Sequence, residues 1–154
     1  MAFYTESTFE PDCSIGYLVR RAHQLGGAAL EPVFEDEGLS SLQWSALVSI
    51  WFKRGETAAD LARFLGHDKG AMTRLVDTLE QRGWITRVRT SCDRRRIDLV
   101  LTPEGRDVTL RCRARVVVCW NEWLADWPRD EVQTLIDLLS KLRDTLDRAD
   151  GPCS

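Results

Sequence analysis

Residues 56–84, ETAADLARFLGHDKGAMTRLVDTLEQRGW, carry two short amphipathic helices with a glycine between them. Thr57 followed by Asp60 has the spacing of a capping box, with Asp in place of the usual Glu or Gln. Ala58, Leu61, Ala62 and Leu65 supply a short apolar stripe that Gly66 stops, since glycine takes the left-handed conformation that ends a helix at no steric cost. His67 and Asp68 open a longer helix in which Met72, Leu75, Val76 and Leu79 recur at steps of three and four, and Gly83 ends it. Such a pair is a helix-turn-helix or an ordinary pair in a helical bundle, and periodicity alone leaves both open.

The next residues favour the first. Trp84, Ile85, Arg87 and Val88 predict a short strand, and Ile97, Leu99 and Leu101 alternating with Asp98 and Val100 predict another, joined by the arginine-dense tip TSCDRRR at residues 90–96. A hairpin directly after the second helix makes the unit a winged helix-turn-helix. Upstream, Ile15, Leu18, Val19, Ala22, Leu25 and Ala29 predict a helix from about Cys13 to Leu30, closed by Pro32, the acidic stretch Glu35 to Glu37 and Gly38. Ser40 or Ser41 caps a second helix with Leu42, Leu47, Val48, Ile50 and Trp51 on its apolar face, ended at Lys53 to Gly55. Downstream, Thr102 and Pro103 start a long helix to about Trp123 or Trp127. Pro128 breaks it, and a last helix places Val132, Leu135, Ile136, Leu138, Leu139, Leu142 and Leu146 inside.

The expected fold class is therefore all-α with a small β wing, a single domain over residues 1–154. It has a winged helix-turn-helix at about 40–102 and dimerisation helices at about 12–31 and 103–148. The flanking helices carry more apolar surface than a DNA-binding module of this size can cover, which predicts a homodimer with interleaved terminal helices.

Charge is distributed unevenly. Net charge is −3 over 154 residues, yet Lys53 to Arg96 hold eleven Lys and Arg against six Asp and Glu, leaving ten against eighteen elsewhere. A basic centre in an acidic chain fits a nucleic-acid surface. At 44% apolar and 29% charged residues the chain has globular composition, and no run reaches the length of a membrane span. The first twelve residues lack any Lys or Arg and so lack a secretory leader's charge; the expectation is a cytoplasmic protein without membrane association. Five cysteines, Cys13, Cys92, Cys112, Cys119 and Cys153, show no CxxC spacing, so neither a disulfide framework nor a metal site is expected. Two histidines, no glycine-rich phosphate loop and no Ser, His and Asp set speak against an enzyme and against any cofactor.

The segments SLQWSALVSI (41–50) and LARFLGHDKGAMTRLVDTLEQRGWITR (61–87), with Asp93, Arg95, Leu101, Thr102 and Gly105 in DRRRIDLVLTPEG, resemble the multiple antibiotic resistance regulator (MarR) family of bacterial transcription factors. The resemblance implies a homodimer that binds a palindromic operator in double-stranded DNA. It also implies repression of nearby genes until a small phenolic or aromatic effector, or an oxidant, releases the protein.

The helix from Asp68 to Arg82 is then the recognition helix. Lys69, Thr73 and Arg74 point outward, and Gly70 and Ala71 let the backbone approach DNA. Arg74 is the expected base contact, because a guanidinium grips guanine O6 and N7 together. Arg95 matches the wing arginine that reaches the minor groove in relatives, with Asp93 orienting it, and Arg94 and Arg96 add phosphate contacts. Tyr17, Arg20, Arg21, His23, Trp44 and Trp51 are candidates for an aromatic, cationic effector pocket, each with core packing as the competing role. Cys13 resembles the sensing thiol of peroxide-responsive relatives, which raises a redox-sensing regulator as an alternative. Against it, tryptophans occupy the second-helix positions of the tyrosines that steady such a thiolate. A helical interaction module with a basic patch for a protein or an anionic surface is the alternative outside DNA binding.

Overall fold

The computed structural model describes residues 3–90 and 93–149, apart from the side chains of Ser7, Thr90 and residues 93–95. Within them the order is α1 (Ile15–Glu35), α2 (Ser41–Trp51), α3 (Ala58–Leu65), α4 (Lys69–Gln81), β1 (Ile85–Thr90), β2 (Asp93–Leu101), α5 (Pro103–Trp123) and α6 (Arg129–Ala149), after two 3-10 turns at Glu6–Thr8 and Pro11–Cys13. The chain divides within α5 into two compact units, Met1–Val116 and Val117–Ser154.

Local sequence writes the helix starts. Ser40 Oγ accepts from the Gln43 amide at 3.2 Å while Gln43 Oε1 accepts from the Ser40 amide at 3.0 Å, a complete capping box. Thr57 Oγ1 accepts from the Asp60 amide at 3.1 Å and donates to Asp60 Oδ2 at 2.8 Å, so the shorter Asp grips the cap hydroxyl. Asp68 Oδ1 accepts from the Ala71 amide at 2.8 Å and starts α4. Gly66 (φ +67) and Gly83 (φ +71) end α3 and α4 in the left-handed region.

Helix α1 runs past its expected end. Pro32 lies inside it, and the helix continues to Glu35 because Val33 and Phe34 are buried and Phe34 stacks on Trp44 at 5.6 Å. That burial outweighs the hydrogen bond that proline cannot donate. The α1–α2 connection is then clamped to α5: Arg111 Nη2 and Nε bind Glu37 (2.8 and 3.1 Å), and Arg115 Nη2 binds Asp36 at 2.7 Å.

Around the helix-turn-helix, Leu47, Leu61, Met72, Val76, Leu79 and Ile85 form a core with at most 2% exposure, joined by Val108 and Cys112 from the first half of α5. Full burial of such side chains contributes roughly 1.5–3 kcal/mol each. The first turns of α5 thus belong to the winged unit. Thr102 Oγ1 donates to the Gly83 carbonyl at 2.5 Å and accepts from the Gly105 amide at 3.0 Å, and the Thr102 amide donates to the Trp84 carbonyl at 3.0 Å.

The wing is longer than its expected strands. β1 and β2 pair antiparallel from Ile85↔Leu101 to Arg89↔Ile97, and the next pair is Thr90↔Asp93. One step along β1 therefore spans four along β2, and Arg94, Arg95 and Arg96 occupy the irregularity instead of a separate tip. In α6, Leu135, Ile136, Leu138, Leu139 and Leu146, which the spacing places inside, are exposed within the single chain. Their spacing gives the helix an apolar stripe.

Candidate nucleic-acid interface

Asp68 holds the start of α4 in place, and its carboxyl lies below the usual range because the Ala71 amide donates to it. Immediately after that cap, Lys69, Gly70, Thr73 and Arg74 are all exposed, as expected of a helix presented to DNA. Lys69 and Arg74 form no ion pair among the described residues. Thr73 Oγ1 donates to the Lys69 carbonyl at 2.8 Å.

Four other cations of the basic segment, Arg63, Arg82, Arg87 and Arg96, are engaged within the chain. Arg87 in β1 binds Asp77 Oδ1 with Nη2 at 2.6 Å and Glu80 Oε2 with Nη1, and its amide donates to Glu80 Oε1 at 3.2 Å. Both acids lie on α4, so this arginine locks wing to recognition helix. Its own ionisation is pushed further up, first by the Asp77 hydrogen bond. Arg82 donates to the Gly38 carbonyl and stacks over Trp84 at 4.7 Å. Arg63 pairs with Asp60 at 2.5 Å.

Arg96, expected to contact phosphate, is engaged within the chain: its Nε binds Asp98 Oδ1 at 2.6 Å and its Nη2 binds Glu56 Oε2 at 2.5 Å, which braces the wing to the α2–α3 connection. The Leu99 amide donates to the Glu56 carbonyl at 2.7 Å and reinforces the junction. Asp93, Arg94 and Arg95 lie on β2, and the roles expected of their side chains fall outside the described residues, as do Cys92 and Cys153. The arrangement leaves an exposed helix N-terminus with unpaired cations and a hairpin braced on both sides.

Comparison with known proteins places this geometry. The MarR family model matches residues 39–97, the span from the start of α2 into β2. The multiple antibiotic resistance protein MarR of Salmonella typhimurium is 30% identical over 139 residues, covering 90% of this chain and 96% of that protein. The chain belongs to the MarR family. The crystal structure of apo MarR from E. coli is 28% identical with a TM-score of 0.72, covering 84% of this chain and 96% of that one. CouR from Rhodococcus jostii RHA1, solved bound to p-coumaroyl-CoA, is 25% identical with a TM-score of 0.73 over 96% of this chain and 99% of its own. As a MarR-family member this chain is a DNA-binding winged-helix transcription regulator and not an enzyme.

The expected effector residues do not form one cluster in this MarR-family chain. Tyr17, Arg20, Arg21 and His23 are exposed on the first half of α1, with Arg20 over the Tyr17 ring at 5.8 Å. Trp44 packs on Phe34, and seventeen residues of helix separate Tyr17 from Phe34, about 25 Å at 1.5 Å per residue. Trp51 faces a different cavity, beside β2 and Arg106. Cys13 is exposed, and its carbonyl accepts from the Tyr4 hydroxyl at 2.9 Å. The Arg87 latch was missed by sequence reasoning. Its one local signal is that Asp77 and Glu80, three apart, share a helix face.

Proposed function

We propose that this chain acts as a homodimeric repressor that binds a palindromic operator and is released by a small aromatic effector. The observation that carries it is the pairing pattern of the basic segment: Lys69 and Arg74 stay unpaired at the exposed start of α4, while Arg87 and Arg96 fix the wing beside it.

The exposed apolar residues of α1, Ile15, Leu18, Val19 and Leu25, and the stripe on α6 support a dimer. Covering them removes apolar surface from water at about 25 cal/mol per Å2. In a twofold assembly two recognition helices meet successive major grooves when they lie roughly 34–36 Å apart. An effector that favours another subunit arrangement then releases DNA. No helix is long and apolar enough to cross a membrane among the described residues, which accords with a regulator that meets DNA.

The experiment is selection from a random double-stranded DNA library with reduced protein in about 0.15 M salt. An inverted repeat with half-sites about one helical turn apart is the expected product. Uniform, salt-sensitive retention without a recovered motif, from protein shown to be dimeric, supports the interaction-module alternative instead.

A further inference from the structure

Three consecutive residues at the corner between α1 and α2 each take an arginine from elsewhere in the chain. Asp36 accepts from Arg115 Nη2 at 2.7 Å and Glu37 accepts from Arg111 Nη2 at 2.8 Å, both from the first half of α5. The carbonyl of the next residue, Gly38, accepts from Arg82 Nη1 at the C-terminal end of α4, 44 residues away in sequence. The corner itself is stiff. Gly38 takes φ +67, its amide donates to the Glu35 carbonyl at 2.8 Å, and the Leu39 amide donates to the Phe34 carbonyl at 2.8 Å, the paired bonds of a Schellman ending. Leu39 is 4% exposed and anchors the corner in the core.

Arg82 is held from a second side. Its guanidinium lies 4.7 Å from the centroid of the Trp84 ring, a cation–π contact. Trp84 is fixed in turn: its carbonyl accepts from the Thr102 amide at the start of α5, and its amide donates to the Leu79 carbonyl of α4, both at 3.0 Å. A planar guanidinium with one edge on a carbonyl and its face on an indole keeps little freedom, whereas a lysine ammonium on its flexible stem keeps much more. Arg82 forms no ion pair among the described residues, so this contact supplies geometry and not charge neutralisation.

From these contacts we infer that Arg82 is a positioning residue for operator recognition: it locks the winged unit to the α1–α2 corner and so sets the half-site spacing that the dimer accepts. The inference rests on the reading above of a homodimer on a palindromic operator. Helix α1 carries the exposed apolar residues offered to a second copy, and the corner is where its end is tied to α4. The angle at that corner therefore fixes where each recognition helix stands relative to the twofold axis. Lys69 lies about 20 Å along the helix from Arg82, so a turn of about 10° at the corner moves it by roughly 3.4 Å, the rise of one base pair.

The test uses the full chain and the inverted repeat recovered from the library selection, rebuilt with unchanged half-sites and a spacer shortened or lengthened by one and two base pairs. Fluorescence anisotropy compares the parent, Arg82→Gln and Arg82→Lys on this series and on a scrambled duplex, and urea unfolding checks that each variant is folded. The parent should prefer its own spacing by about tenfold or more over the neighbouring ones. Arg82→Gln should bind that spacing about fivefold more weakly and discriminate between spacings by about threefold or less, with its salt slope and its affinity for the scrambled duplex unchanged. Arg82→Lys, which keeps the charge without the planar fork, should fall between the two. Equal weakening at every spacing overturns the inference, because it marks a damaged recognition helix. Weaker binding to the scrambled duplex with a reduced salt slope also overturns it, because it marks a direct phosphate contact. So does a lysine variant with the parent's full spacing preference, an outcome that decides the matter even where Arg82→Gln does not fold. A parent that selects no inverted repeat overturns the repressor reading and the role of Arg82 with it, whereas spacing discrimination shared equally by parent and Arg82→Gln overturns the role of Arg82 alone.

Discussion

Arg87 of β1 and Asp77 of α4 meet at 2.6 Å, ten residues apart in the chain and on opposite sides of the turn that separates the recognition helix from the wing. Glu80, one helical turn on, takes the other half of the same guanidinium. A planar fork bound on two edges fixes orientation as well as distance, which a lysine's point charge does not. The helix and the hairpin are thereby held at one angle, and Asp77 shares the face of α4 that carries Lys69 and Arg74.

Replacing Arg87 by Lys should therefore weaken operator binding about tenfold while leaving a folded dimer. The expected loss of stability is small, about 1 kcal/mol, because Arg87 and its partners are partly exposed. A double-mutant cycle of Arg87→Ala with Asp77→Ala, measured by urea unfolding, should return a coupling of about 0.5–1 kcal/mol. Zero coupling together with unchanged operator affinity shows that the latch does not position the wing.

Lys69 and Arg74 should differ in kind. Arg74→Ala is expected to cost about 1–3 kcal/mol against the selected operator and to relax preference at one base pair of each half-site. Lys69→Ala should weaken all sequences alike and reduce the salt slope by about one ion. Fluorescence anisotropy with the operator and a scrambled duplex, across several salt concentrations, separates the two. A salt slope that is unchanged in Lys69→Ala takes that residue off the phosphate backbone.

Helices α2 to α4 are legible in the sequence because each carries its own punctuation: Ser40 and Gln43, Thr57 and Asp60, Gly66, Asp68, Gly83. The end of α1 is not, because Pro32 signals a break locally while Val33 and Phe34 are retained by contacts that no local pattern encodes. The full length of the wing is hidden for a related reason. Arginines at 94–96 have no strand alternation, and β2 extends through backbone pairing. Exposure of Lys69 and Arg74 follows from helix periodicity, but the engagement of Arg96 with Glu56 spans forty residues of sequence. Residue chemistry likewise grouped Tyr17 with Trp44, which the length of α1 then separates.

Gly105 offers a test of how the wing is seated. A Cβ built there would lie 1.8 Å from the Trp84 carbonyl oxygen, a backbone atom that cannot swing aside. Gly105→Ala gains about 1 kcal/mol of helix propensity, yet must push α5 away from the wing root and strain the Thr102 hydrogen bonds. The expected net result is destabilisation by about 2 kcal/mol, seen as a lower urea midpoint. A variant as stable as the parent means that this junction gives way freely.

Glu37 should make part of the stability pH-dependent. The Arg111 hydrogen bond holds its carboxyl below the ordinary value of 4.5. A carboxylate whose pKa is depressed on folding contributes stability that is fully present above its unfolded pKa and is lost as pH falls through the folded one. The stability difference between the parent and Glu37→Gln should then be constant near neutrality, at about 0.5–1 kcal/mol, and vanish below the ordinary carboxylate range. Urea unfolding at a series of pH values measures it, and a difference that grows with acidification reverses the sign.

The cysteines divide by environment, and thiol chemistry reads the division directly. Cys13 is exposed beside the start of α1, whereas Cys112 is fully buried among residues of the winged unit, and burial raises its thiol from 9.0 to about 11. The thiolate is the reactive form, so at pH 8 that shift alone leaves about a hundredfold less of it than an ordinary cysteine has, before access is considered. In a variant with Cys92 and Cys153 replaced by Ser, iodoacetamide followed by peptide mass spectrometry should label Cys13 in the folded protein and Cys112 only after denaturant is added. Because the thiol's pKa is raised on folding, the same group favours the folded state below about pH 9 and loses that preference as pH climbs through about 11. Labelling of Cys112 at the rate of Cys13 in the native protein means that α5 opens from the winged core on the timescale of the reaction, since no static path leads to that sulfur.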